Sequence, residues 1–110
     1  MACSLPKTFQ GGNIRYDLCG YSSGTDVEIR FELSTASHIS IGRQDWIMYL
    51  DRKQSDGSWL QAGSRTGWIS SSSPSDRVFT NVRSGKLRAT VEMLDPDNVG
   101  FKYMSVEFNH

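Results

Sequence analysis

The sequence DWIMYLDRKQSDGSWLQ, residues 45–61, decides the fold of this chain. Successive side chains of a β-strand point to opposite faces, so Ile47 and Tyr49 share one face. The other face carries three apolar residues, which are Trp46, Met48 and Leu50. Apolar side chains on both faces are typical of a central strand, or of a strand whose outer face is also covered.

The turn after this strand leaves one question open. Asp56-Gly57 is a strong signal for a β-hairpin. If these two residues form the whole loop, Trp59 shares the face of Trp46. A three-residue loop with a bulge at Gly57 places Trp59 on the opposite face. The sequence alone does not decide between these two registers.

Alternating patterns predict further strands on both sides of the hairpin. Residues 25–34 set four apolar residues against four charged ones, which is typical of a half-buried antiparallel strand. Residues 86–93 alternate in the same way. Weaker strands are predicted at 13–18, 38–41, 66–70, 77–82 and 99–108, with turns at 20–24, 83–85 and 95–98 and a Ser-rich surface connection at 70–75.

The predicted fold class is all-β. No stretch has helical periodicity over three turns, and Gly, Ser, Asp and Pro turns separate roughly seven to nine short strands. This pattern predicts an antiparallel β-sandwich of the jelly-roll or immunoglobulin-like kind. A chain of 110 residues has the size of one domain. Residues 1–110 are therefore predicted to form a single sandwich, with residues 1–12 as an irregular N-terminal arm.

The charge balance limits the classes of partner. Twelve acidic residues balance twelve basic ones. A nucleic acid or an anionic membrane surface requires a local basic surplus, so neither is expected as a partner, although a small basic patch is compatible with the balance. No apolar run reaches the roughly 18 residues that a membrane span needs. The start, MACSLPKTF, also lacks the apolar region of a signal peptide.

The two cysteines, Cys3 and Cys19, predict one disulfide. It would close a loop of roughly 15 residues and contribute on the order of 3 kcal/mol in the chain-entropy model. A disulfide places the protein in an oxidising compartment, which means that it is secreted or on the cell surface. Two alternatives remain open at this stage: two reduced cysteines, or a lipidated Cys3.

The sequence predicts no enzyme. It contains no HExxH, GxSxG or phosphate-loop motif. Nucleophilic catalysis by Ser or Cys needs a histidine nearby, and the only candidates are His38 and the last residue, His110. His38 is predicted to be a solvated turn residue.

One turn offers ligands for a hard cation. Asp95, Asp97 and Asn98 place three oxygen ligands within four residues, which suits calcium. The same residues are also ordinary turn formers. Calcium at this turn is therefore a secondary prediction, and no other cofactor is expected.

The aromatic residues give the main functional hypothesis. Trp59 and Trp68 flank a segment rich in Gly, Ser and Arg. Exposed indoles there, with Arg65 and Tyr49, predict a site that stacks on sugar rings of a carbohydrate or a cell-surface polymer. In the alternative, these rings fill the core, as large aromatics usually do. A third hypothesis is a protein partner or a homodimer on the face of Ile47 and Tyr49.

Residues 78–93, VFTNVRSGKLRATVEM, contain an F-x-x-V-x-x-G step that leads into an alternating strand. With residues 45–50 and the Asp-Gly-Ser-Trp turn, this segment resembles accessory β-sandwich modules of secreted bacterial enzymes, of the pre-peptidase C-terminal or immunoglobulin-like kind. The resemblance implies a secreted, non-catalytic module. An immunoglobulin domain proper is disfavoured, because Cys3 and Cys19 cannot flank a central tryptophan in the required order.

Overall fold

The computed structural model describes residues 1–71 and 74–110, and these residues form an all-β sandwich. The predicted fold class is thereby confirmed. The strands in the described residues are β1 (Ala2–Cys3), β2 (Lys7–Phe9), β3 (Ile14–Ser23), β4 (Asp26–Thr35), β5 (Gln44–Lys53), β6 (Trp59–Ile69), β7 (Pro74–Phe79), β8 (Lys86–Met93) and β9 (Tyr103–Asn109).

Two antiparallel sheets pack against each other. Sheet A has the strand order β1-β3-β4-β7, and β2 also pairs with β3. Sheet B has the order β6-β5-β8-β9. The chain crosses between the sheets after β4, after β6 and after β7. The predicted central strand, β5, therefore lies between β6 and β8.

The core lies between the inner faces of the two sheets. The period-two alternation predicted for β4 and β8 is confirmed, because every apolar residue of each pattern is buried. Trp46 at the start of β5 is completely buried, as one of the two alternatives for the large aromatics predicts. The inward residues of these strands are Val27, Ile29, Phe31 and Leu33 on β4, Trp46, Met48 and Leu50 on β5, and Leu87, Ala89, Val91 and Met93 on β8.

The turn predicted at residues 20–24 is wrong. Strand β3 continues to Ser23 and pairs with β4 over its whole length. Gly20 is present because a side chain has no room there: a Cβ would lie 2.5 Å from Cε1 of Phe108. Glycine in a strand often marks such a close approach rather than a turn.

Other element boundaries also differ from the prediction. Residues 38–41 form no strand, and the return strand of the hairpin runs unbroken to Ile69. Val78, which the sequence placed in the core, is half exposed, because Phe79 faces inward opposite Val27. The Ser-rich connection predicted at 70–75 includes residues 72 and 73, which lie outside the described residues.

The N-terminal arm is more regular than predicted. Residues 1–12 contain β1, β2 and a short 3-10 helix, Gln10–Gly12. Both strands pair with the edge of β3 that β4 leaves free. Cys3 lies directly opposite Cys19 in the β1–β3 pair, and the two form a disulfide. The predicted disulfide is confirmed, and it holds β1 on the sheet.

The described part of the chain has no helix that is long and apolar enough to cross a membrane.

Candidate binding face on sheet B

The loop between β5 and β6 determines where Trp59 points. The amide of Gln54 donates to the carbonyl of Ser58 at 2.8 Å, and this pair closes a three-residue loop. Gly57, the last loop residue, has a φ of 89°, a value that favours glycine. Trp59 then pairs with Lys53 and points away from the core. The structure therefore has the second of the two registers that the sequence left open.

A bulge in β6 brings Trp68 to the same face. Trp59 and Trp68 are nine residues apart, so a regular strand would point them to opposite faces. Gln61 and Gly63 pair with consecutive residues of β5, which leaves Ala62 as the extra residue of a bulge. Alternation resumes after the bulge with the opposite parity. Both indoles consequently lie on the outer face of sheet B.

The outer face of sheet B collects most of the aromatic side chains that the sequence singled out. Trp68 is 50% exposed and Tyr103 is 53% exposed. Trp59 and Tyr49 are half-buried among their neighbours. We call this surface the aromatic face; its members are Trp59, Gln61, Ser64, Thr66 and Trp68 on β6, Asp45, Ile47, Tyr49, Asp51 and Lys53 on β5, Arg88, Thr90 and Glu92 on β8, and Tyr103, Ser105 and Glu107 on β9.

Two tyrosines hold a carboxylate at the centre of the aromatic face. The hydroxyl of Tyr49 donates to Oε1 of Glu92 at 3.2 Å, and the hydroxyl of Tyr103 donates to Oε2 at 3.4 Å. Partial burial, followed by the hydrogen bond to Glu92 and its charge, raises the pKa of Tyr49 above the ordinary value of 10.0. The Glu92 carboxylate is therefore fixed in position and ready to accept further hydrogen bonds.

An arginine lies against each indole of the aromatic face. The guanidinium of Arg88 is 4.4 Å from the ring centroid of Trp59, and that of Arg43 is 5.1 Å from that of Trp68. Such cation–π contacts contribute roughly 0.5–1 kcal/mol at exposed sites and hold the ring in one orientation. Each of these arginines also forms an ion pair of 3.0 Å with a carboxylate of the face, Asp51 for the first and Asp45 for the second.

Arg65 does not join the other predicted ligand-binding residues. It lies on the side of β6 that faces away from Trp59 and Trp68, with its guanidinium 4.3 Å from the ring centroid of Phe79. The cause is the bulge, which changes the parity of β6 between Trp59 and Arg65. The structure thus brings Trp59, Trp68 and Tyr49 together and separates Arg65 from them.

The predicted calcium ligands lie at the opposite end of β8, in a turn and a short helix, α1 (Pro96–Val99). The side-chain amide of Asn98 donates to Oδ2 of Asp95 at 2.6 Å, and Asp97 is exposed. Within residues 1–71 and 74–110, no group of three or more His, Cys, Asp or Glu side chains is arranged to hold a metal ion. Calcium at this turn stays a prediction.

The two histidines occupy different environments. His38 is exposed, as expected of a solvated turn residue. His110 shares a hydrogen bond of 2.6 Å with the hydroxyl of Ser22 through Nδ1, and its Nε2 donates to the carbonyl of Val82 at 3.0 Å. His110 therefore fastens the C-terminus to the loop that follows β7.

Comparisons with protein families, with curated proteins and with solved structures gave no match. The resemblance of residues 78–93 to accessory modules of secreted enzymes stays a prediction.

Replacing Glu92 by glutamine should lower the pKa of Tyr49 toward its ordinary value. The carboxylate raises this pKa because it accepts the phenol's proton in a hydrogen bond and because its charge opposes the phenolate. A glutamine removes the charge, while the partial burial remains. Absorbance titration of tyrosinate, or the 13Cζ shift of Tyr49, measures the change. Glu28→Gln on sheet A is the control, and an unaltered Tyr49 pKa in Glu92→Gln would contradict the role of Glu92.

Proposed function

We propose that this protein is a non-catalytic binding module for carbohydrate or a cell-surface polymer, and that the aromatic face is its ligand-binding surface. The observation that carries the proposal is the bulge at Ala62, which puts Trp59 and Trp68 on one face with Tyr49. Flat rings stack on the apolar faces of sugar rings, and carboxylates, amides and hydroxyls nearby bind sugar hydroxyls.

The electrostatics of the aromatic face favour a hydroxyl-rich ligand. Its arginine Arg88 is paired with Asp51, and its carboxylate Glu92 accepts hydrogen bonds from two phenols. These groups leave little unbalanced charge to attract an ion, but they retain acceptor and donor capacity for hydroxyls. Because they hold one another in place, binding costs less side-chain entropy than a flexible site would require.

We also infer that the protein is secreted or on the cell surface. The support is the Cys3–Cys19 disulfide, since disulfides persist mainly in oxidising compartments. A polymer at a cell surface is a ligand that such a location makes accessible.

Tryptophan fluorescence with a panel of oligosaccharides tests the proposal. A ligand should shift or quench the emission, and Trp59→Ala and Trp68→Ala should each weaken its binding by about tenfold or more, as loss of an aromatic anchor does. Tyr21→Ala is the matched control, because Tyr21 lies on the outer face of sheet A with the guanidinium of Arg30 5.1 Å from its ring. No emission change with any glycan, or equal affinity in both tryptophan variants, would overturn the proposal.

A second candidate function is a protein partner or a homodimer on the same face. Ile47 is the observation that favours it, because this half-buried aliphatic residue lies on the outer face of sheet B beside the aromatic side chains. Sedimentation velocity distinguishes the two functions. A dimer that Ile47→Asp converts to a monomer, without any glycan response, favours the second function over the first.

A further inference from the structure

Three arginines at one end of the sandwich have no carboxylate partner. Within the described residues, neither Arg52, Arg65 nor Arg83 has an Asp or Glu oxygen within 4.0 Å. The arginines that do have one are Arg15, Arg30, Arg43 and Arg88. The chain as a whole has a formal net charge of zero, so this grouping of unpaired positive charge is local.

The same three arginines line one cleft. It has a volume of about 180 Å³ and opens between β6 and the loop that follows β7. Arg52 comes from β5, Arg65 from β6 and Arg83 from the loop. None of the described lining residues is an Asp or a Glu. The cleft is thus a concave, positively charged surface in an otherwise balanced molecule.

Packing positions the central arginine of the cleft. The guanidinium of Arg65 lies 4.3 Å from the ring centroid of the buried Phe79, and its Nη1 donates to the carbonyl of Ser64 at 2.8 Å. These contacts use one face of the guanidinium and one of its five N–H donors. The remaining donors are held in a defined direction, which lowers the entropy cost of binding.

The loop that carries Arg83 is also fixed. The amide of Val82 donates to the carbonyl of Thr25 at 2.8 Å, and the carbonyl of Val82 accepts from His110. Asn81 has a φ of 54°, in the left-handed region that residues other than glycine seldom adopt. The backbone amide of Asn81 lies 3.4 Å from Oδ1 of Asp26, a carboxylate contact that does not involve an arginine.

We propose that this cleft binds a tetrahedral oxyanion, a sulfate or phosphate group. Guanidinium groups offer parallel N–H donors that match the oxygens of such anions in bidentate pairs. Several like charges that share a cleft repel one another, and a doubly charged anion removes that repulsion. The volume is below the roughly 300–1,000 Å³ of sites for drug-sized ligands, so the cleft takes one charged group rather than a whole large ligand.

This site is separate from the aromatic face. Arg65 lies on the side of β6 that faces away from Trp59 and Trp68, so the oxyanion site does not rest on the proposed carbohydrate binding. The bulge residue Ala62 lines the cleft, and it is also the residue that aligns the two tryptophans.

Isothermal titration with sodium sulfate and sodium phosphate tests the proposal, with sodium chloride at matched ionic strength as the reference. We expect saturable binding of the tetrahedral anions alone, and a higher Tm in their presence because they bind the folded state. Arg52→Ala, Arg65→Ala and Arg83→Ala should each weaken binding about tenfold or more, since hydrogen bonds to charged groups contribute roughly 1.5–3 kcal/mol. Arg15→Ala, which removes an exposed arginine on sheet A, should leave binding unchanged.

Further arms keep the test decisive. Arg65→Lys retains the charge and should still lose the bidentate geometry, so it separates anion binding from a packing defect next to Phe79. A sulfated disaccharide that binds more tightly than inorganic sulfate would identify the anion as an ester on a larger ligand, whereas equal affinity would identify the free ion. Trp68→Ala should leave sulfate binding intact. Equal responses to chloride and sulfate, or binding that survives all three alanine substitutions, would refute the oxyanion site.

Discussion

Trp46→Ala should lower the free energy of unfolding by about 3–5 kcal/mol, the usual cost of truncating a buried large aromatic side chain. Trp46 is completely buried on the inner face of β5. Its ring lies edge-on to Phe31 of sheet A with centroids 6.2 Å apart, and the guanidinium of Arg77 is 4.9 Å from its centroid. The indole therefore joins both sheets, and alanine would leave a cavity between them.

The space around Trp46 explains why the structure is unlikely to collapse into such a cavity without cost. Gly67 of β6 has no side chain because a Cβ there would lie 2.5 Å from Cζ2 of Trp46. Strand β6 therefore rests directly on the indole, and removal of the ring takes away the surface on which the strand packs. Natural domains of this size have roughly 5–15 kcal/mol of stability, so the loss is a large share of the total.

Urea denaturation followed by circular dichroism measures this effect. Trp68→Ala is the matched control, because it removes the same side chain from a position that is 50% exposed. Its effect should stay near the ±0.5 kcal/mol typical of surface substitutions, with a modest addition for the lost contact with Arg43. Equal destabilisation by the two variants would show that Trp46 is not the central core residue.

Removal of the disulfide should have the second-largest effect. Cys3→Ser with Cys19→Ser should lower the free energy of unfolding by an amount on the order of 3 kcal/mol, because the 16-residue separation otherwise restricts the unfolded chain. Strand β1 consists of two residues and pairs only with β3 in sheet A, so it has little else to hold it. The amide of Ser4, which donates to the carbonyl of Leu18 at 2.9 Å, should then exchange with solvent faster.

Two measurements check the role of the disulfide. Denaturation with and without reductant should reproduce the difference in the native protein and give no difference in the double serine variant, which serves as its own control. Thiol titration of the unfolded, unreduced protein should detect no free thiol. Two free thiols would contradict the bond and remove the argument for an oxidising compartment.

Period-two patterns predicted much of this fold, because burial of one sheet face leaves a direct trace in the sequence. The strands at residues 25–34 and 86–93 were predicted nearly to their ends. The strand at 45–52 was predicted within one residue at each end. In contrast, Gly20 was misinterpreted, because a glycine that admits a neighbouring ring and a glycine that makes a turn look alike in one sequence.

The candidate site was predicted only in part. Trp59, Trp68 and Tyr49 were selected for their rings, but their common face depends on the bulge at Ala62, which no local pattern reveals. Glu92 and Tyr103 were not selected, because only the pairing of β8 with β5 and β9 brings them beside Tyr49. The three arginines of the cleft come from distant positions, so only the folded chain assembles them.

The alignment of the two outer indoles also sets a length for the ligand. Trp68 and Trp59 pair with Asp45 and Lys53, which are eight residues apart on β5, or roughly 27 Å at about 3.4 Å per residue. A short oligomer can reach one indole at a time. A chain long enough to reach both gains the second contact as an intramolecular event, at a high effective concentration. The protein would then act as a ruler that discriminates polymers by their degree of polymerisation.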